Sequence, residues 1–170
     1  MANDNKPMGL RPVAHLSGYN ITTRQIDKDS TRALAKGDLV AGASDGKCDR
    51  YLVGEPVIGV SAQYSATNVA EKVAVFLDDD IVYEIQSTAS KAQTVLNSNV
   101  AVTTTLGNAT LGLSNYIAAG VSASPTATYP LTIIGIGTGY NRDGSQNAFG
   151  SFVKLHVVIN RKIGKAGVGI

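Results

Sequence analysis

The stretch Lys72–Gln86 (KVAVFLDDDIVYEIQ) constrains the fold more than any other part of the chain. Val73, Val75 and Leu77 recur at every second position, and so do Ile81, Tyr83 and Ile85. A period of two puts each set on one face of an extended strand, so two strands with a face in a core are predicted. Between them lie Asp78, Asp79 and Asp80, which tolerate turn conformations and place charge where the chain reverses. The stretch reads as a central β-hairpin, or as two strands joined by a tight acidic corner.

The same signal recurs along the chain. Ile21–Ile26 reads as a strand followed by a polar turn at Asp27–Thr31, and Lys36-Gly37-Asp38 as a tight turn feeding a strand that ends near Ala41. Glu55–Tyr64 reads as a strand with Pro56 at its first residue or on an edge. Leu131–Ile136 is apolar on both faces, as a central strand would be. Phe152–Ile159 alternates most cleanly, with Val153, Leu155, Val157 and Ile159 expected inward and Lys154 and His156 outward. Val100–Thr105 is a further strand candidate, and Ser90–Leu96 one short helix weakened by Thr94 and Val95. Short strands divided by Gly, Asn and Asp turns predict an all-β chain with at most one short helix, as a β-sandwich or small barrel.

Residues 1–22 follow neither period. Pro7, Gly9, Pro12 and Gly18 interrupt them, and residues that precede proline are pushed to extended geometry. Met8, Leu10, Val13 and Leu16 would be wasted on a solvated tail. The segment is therefore expected to be an extended arm lying on something, contacting it through Lys6, Pro7, Met8, Leu10, Arg11, Pro12 and Val13. Residues 23–163 would form the β-domain, and 164–170 a basic, Gly-rich tail.

Charge is sparse, at 16% of residues against about 25% in typical domains. From Ser87 to Asn141 only Lys91 is charged. Regular Leu, Val and Ile in that stretch favour a surface covered by a neighbour over a flexible linker. A net charge of +2 is too small to imply nucleic-acid binding. No apolar run approaches the ~20 residues of a membrane helix, and the N-terminus lacks the apolar core of a secretion signal.

Motifs for chemistry fail on spacing. Adjacent aspartates in an extended chain point to opposite faces, so Asp78–Asp80 reads as an acidic turn rather than a calcium site. Asn141, Asp143 and Ser145 begin like an EF-hand loop, but Gln146 stands where glycine belongs and Phe152 where glutamate belongs. Gly135, Gly137 and Gly139 have the third glycine one residue early for a dinucleotide loop. His15 and His156 have no nucleophile elbow to serve. Cys48, the lone cysteine, has Lys47 and Arg50 as near neighbours that could lower its pKa, but reads as a passive thiol. No enzymatic activity, metal or cofactor is expected.

Three stretches belong together: Pro7-Met-Gly-Leu-Arg-Pro12, the segment Phe76–Gln86, and Pro130–Ile136 followed by an Asn/Asp/Gly loop and Phe152–Asn160. In this order they resemble the capsid cement, or decoration, proteins of tailed-bacteriophage heads. The resemblance implies a non-enzymatic virion protein, made in the host cytoplasm, that binds the outside of the shell. Its implied partners are the major capsid protein and itself, as a homotrimer, with no nucleic acid and no membrane. Such a protein clips capsomers together by binding free energy alone. The competing expectations are a carbohydrate- or receptor-binding module of a fibre or spike, and a minor coat or tail-tube subunit.

Overall fold

A computed structural model of the chain describes residues 3–43, 45–119 and 129–160. Among the described residues ten strands are formed: β1 (Arg11–His15), β2 (Arg24–Asp27), β3 (Leu39–Gly42), β4 (Cys48–Arg50), β5 (Val57–Ser61), β6 (Lys72–Phe76), β7 (Ile81–Gln86), β8 (Asn99–Val100), β9 (Leu131–Ile136) and β10 (Lys154–Ile159). They make two five-stranded sheets, one in the order β1-β7-β10-β9-β8 and the other β2-β6-β5-β3-β4. Every pairing between strands is antiparallel. The expected all-β class holds, as a sandwich and not a closed barrel.

One core lies between the sheets. The first contributes Ile81, Tyr83, Ile85, Leu131, Ile133, Leu155, Val157 and Ile159, and the second Leu39, Ala41, Val57 and Val60. Tyr51, Tyr116 and Leu10 join it from outside the strands. The alternation expected at Phe152–Ile159 is observed in β10, the middle strand of its sheet. Val153, Leu155 and Val157 are fully buried and Ile159 nearly so. A smaller cluster covers the other face of the second sheet: Leu34, Val40, Cys48, Val73 and Val75 pack with Ile26, Ile58 and Leu77. That sheet is therefore apolar on both faces. Gly59 is required where β5 meets β6, because a Cβ there would sit 2.1 Å from the Phe76 carbonyl oxygen.

Of the two readings of Lys72–Gln86, the hairpin does not form, and two strands joined by a tight acidic corner do. β6 pairs with β2 and β5, and β7 pairs with β1 and β10, so the two strands belong to opposite sheets. Val73, Val75 and Leu77 face the outer cluster, while Ile81, Tyr83 and Ile85 face the core between sheets. Leu77–Asp80 spans at most about 13 Å, enough to cross the ~10 Å between stacked sheets. The Asp80 amide donates to Asp78 Oδ1 at 3.1 Å and tightens this corner. Both strands have two strand neighbours, so neither edge was left for a hairpin pairing.

The free arm is also corrected. Residues 11–15 are the edge strand β1, in register with β7 from Arg11 opposite Glu84 to His15 opposite Ile81. Leu10 is 2% exposed. Asn3 Nδ2 donates to the carbonyls of Ala148 and Ser151, and the Lys6 backbone amide to Gln86 Oε1. What the extended segment lies on is the β-structure of its own chain, which it joins as a strand. Of the expected contact residues, Lys6, Pro7, Arg11 and Val13 are exposed, Met8 and Pro12 are half-buried, and Leu10 is core.

Three smaller expectations shift. The helix at Ser90–Leu96 shrinks to a 3-10 turn over Gln93–Val95 with no side-chain cap. The strand at Val100–Thr105 reduces to β8 and a bridge from Val102 to Ala118. Among the described residues, Leu131–Ile136 has only the two-residue β8 on its outer side, and Ile134 is 40% exposed. The Gly-rich tail at 164–170 lies outside the described residues.

Candidate interaction surface

The uncharged stretch contains a braced loop. Tyr116 anchors it: the ring is fully buried and the hydroxyl donates to the Tyr51 carbonyl at 2.7 Å. From there the chain turns outward through Ser114 and returns at Leu106. Asn108 Oδ1 accepts from the amides of Thr110 and Leu111, the Asn108 amide donates to the Leu113 carbonyl, and Asn115 Nδ2 donates to the Leu106 carbonyl. Lys36 clamps the base, its amide donating to the Gly112 carbonyl and its carbonyl accepting from Ser114. The amides of Asn108, Thr110 and Leu111 and the carbonyls of Leu106, Gly112 and Leu113 are thus bonded within the loop and its base. Leu106 is 57% exposed, Leu111 66% and Leu113 39%. Tyr64 lies beside Gly112. Hydrophobic side chains held outward on a hydrogen-bonded loop make this a candidate interaction surface.

Asp38 ties this loop to the strands. It is fully buried, and its Oδ2 accepts the Ala35 amide at 2.8 Å. Burial raises its pKa above the ordinary carboxylate value, partly offset by the Ser114 hydroxyl, the Ala35 amide and the charge of Arg50. Next to it, Gly37 sits at φ +92°, with Met8 O only 2.9 Å from where a Cβ would stand. The turn expected at Lys36-Gly37-Asp38 is therefore the point where N-terminal segment, sheet and outer loop meet.

Beside the loop an apolar groove of about 260 Å³ opens at the seam between the sheets. Met8, Leu10, Pro12, Phe76 and Leu113 line it, with Arg11 and Lys36 supplying the only charges of its lining. Arg11 donates to Glu84 Oε1 at 2.8 Å. The Lys36 ammonium has no side-chain partner among the described residues.

The acidic corner has a different character. His15 Nε2 lies 3.0 Å from Asp78 Oδ2, and His15 Nδ1 accepts the Ser17 amide. Ser17 Oγ donates to Asp80 Oδ2 at 2.6 Å. These bonds brace a protruding turn that carries Leu16, 62% exposed, and Tyr19, 74% exposed. Elsewhere Arg32 bridges Asp49 and Glu55, at 3.4 and 3.2 Å, at one end of the second sheet. Cys48 is buried and its thiol is pushed up to about 11, chiefly by burial, which makes it a poor nucleophile.

The sequence reading found the strands behind this surface but not the surface itself. Leu106, Leu111 and Leu113 sit in a Gly- and Asn-rich run with no period to expose them. Only the missing charge pointed there. Among the described residues no three His, Cys, Asp or Glu side chains group as a metal site, and no helix is long and apolar enough to cross a membrane. No family model, curated protein or solved structure matches this chain.

Proposed function

We propose that the protein is a non-enzymatic structural component of a bacteriophage head, binding the outer capsid surface and cementing the expanded shell across capsomer joints. The observation that carries this reading is the braced, charge-free loop Leu106–Leu113, which holds apolar side chains in water. A clip needs such a surface: its work is binding free energy, and a pre-ordered loop loses little entropy on contact. The β-sandwich behind it supplies a rigid mount, and the resemblance of the Pro7–Pro12, Phe76–Gln86 and Pro130–Asn160 stretches to cement proteins points the same way. The partner is then the major capsid protein.

Co-sedimentation with purified expanded heads of the virus that encodes the chain tests the reading. Wild-type protein is expected to pellet with heads at a copy number approaching that of the coat protein. Leu106→Ser with Leu111→Ser should weaken binding at least about tenfold while leaving the thermal transition in place, since both side chains are exposed. Wild-type protein that stays in the supernatant, or a copy number far below that of the coat protein, overturns the proposal.

A further inference from the structure

The groove at the sheet seam divides its lining between dry apolar surface and a cation, and we infer that it binds a short, unbranched aliphatic carboxylate. Leu10, Gly37 and Ser61 are the buried part of the lining, Met8, Pro12 and Phe76 are half-buried, and Leu113 and Lys36 are exposed. The charges that line it, Arg11 and Lys36, are both cationic. Glu84 already holds the Arg11 guanidinium at 2.8 Å. No carboxylate of the described residues pairs with the Lys36 ammonium, so Lys36 is the cation left to meet a ligand.

The buried part of the lining asks for nothing polar. The Ser61 hydroxyl donates to the Gln63 carbonyl at 2.7 Å, and the Ser61 amide to the Asp38 carbonyl. The Gly37 amide donates to the Ser61 carbonyl, and the Gly37 carbonyl accepts the Leu10 amide at 2.9 Å. A hydroxyl or amide that entered here would leave water without finding a new partner, which is unfavourable. The part of a ligand that enters is therefore apolar. Any charge it carries is negative and stays in solvent beside Lys36, which is the division of an alkyl carboxylate.

The groove is formed in advance. Lys36 is fixed on both sides, its amide donating to the Gly112 carbonyl and its carbonyl accepting the Ser114 amide, so little ordering remains to be done on contact. Size selects a single chain. An apolar cavity of ~150 Å³ admits benzene, so a groove of about 260 Å³ takes an unbranched chain of roughly eight to ten carbons. That is below the ~300–1,000 Å³ of sites for drug-sized ligands, too small for a two-chain lipid. Leu106 and Leu111 do not line the groove. This inference goes beyond the shell-binding reading and does not depend on it.

Calorimetric titration of the full chain with sodium carboxylates from butanoate to dodecanoate, each kept below its micelle concentration, tests it. Affinity is expected to rise about two- to fourfold with each methylene, and to level off near ten carbons, where the groove is full. Octanoate should bind up to about fivefold tighter than octanol. Lys36→Glu should reverse the order of octanoate and octylammonium while leaving the thermal transition in place, because the side chain is exposed. Leu106→Ser with Leu111→Ser, which removes the proposed shell contact, should bind carboxylates as wild type does, so the two readings fail separately. Wild-type protein that binds no carboxylate overturns the inference. So does an affinity that keeps climbing past ten carbons, an order that Lys36→Glu does not reverse, or binding lost in the double leucine variant. Association of wild-type protein that Lys36→Glu abolishes, with no carboxylate bound, would assign the groove to a second copy and overturn it equally.

Discussion

Asp38 was visible in the sequence only as the third residue of a tight turn, and its burial was not. A carboxyl that accepts the Ala35 amide beneath a returning loop depends on where residue 114 arrives, which local sequence does not encode. Lys28 hid in the same way. In sequence it belongs to a polar turn, yet it is 1% exposed and its ammonium donates to the carbonyls of Asp29, Ala66 and Val69. All three of its donors are used, so the lysine binds the ends of two loops as a fixed cation. For Asp38 the raised pKa has a testable sign. The folded state holds the proton more tightly than the unfolded chain, whose carboxyl titrates near the ordinary 3.8. Through the window from 3.8 up to the raised value, the folded state binds more protons, so this group's contribution to stability falls as pH rises. Above the window the loss is complete. Asp38→Asn keeps an acceptor for the Ala35 amide and removes the titration. Urea unfolding at stepped pH should show the stability of wild type relative to Asp38→Asn decreasing from acid to neutral pH. A difference that is flat, or that rises, would mean the carboxylate is better solvated or better paired than its burial indicates.

Period-two alternation revealed the strands, because each needs only one buried face to declare itself. It did not reveal their partners. β6 and β7 read as a hairpin because they are adjacent, yet each found its neighbours elsewhere, β7 with a strand whose Arg11 is 73 residues from Glu84. β1 was harder still: proline and glycine broke its pattern. Pro12 is tolerated because β1 is the edge strand of its sheet, with no ladder partner on its outer side among the described residues, and the register slips between Pro12 and Ala14. Deleting residues 2–16 therefore removes a strand, the buried Leu10 and the bonds of Asn3 and Lys6. Losing a buried leucine alone costs about 2–5 kcal/mol, and a domain of this kind has only about 5–15 in total. The truncated chain is expected to melt at least about 10 °C lower, or to be unfolded at room temperature. Far-ultraviolet circular dichroism during a thermal ramp measures this. An unchanged midpoint would show that β1 does not pair with β7 in solution and would restore the free arm.

At the scale of the molecule, the chain lays down β1 in one sheet, builds the whole second sheet from β2 to β6, and then returns for β7 to β10. A contiguous block that also owns an outer cluster, Leu34, Val40, Cys48, Val73 and Val75, has the ingredients of an independent unit. Against independence stands the shared core: Leu39, Ala41, Val57 and Val60 are covered by the first sheet and the residues packed with it. A sheet with one face bare would expose those side chains, at roughly 1.5–3 kcal/mol for each large one. Independent folding of the second sheet therefore loses. The chain is expected to unfold in one step, and mutations in either cluster should act on that step. Val75→Ala lies on the face away from the first sheet and Leu155→Ala lies between the sheets. Each should lower the same midpoint, the leucine by the larger amount, about 2–5 kcal/mol. The seven tyrosines and absence of tryptophan make near-ultraviolet dichroism a tyrosine probe. Tyr51, Tyr83 and Tyr116 in the shared core report when the sheets part. That signal should coincide with the far-ultraviolet loss of strand in wild type and in both variants. A tyrosine signal that collapses first in Leu155→Ala, with strand signal persisting to a second transition, would mean the β2–β6 block holds together alone.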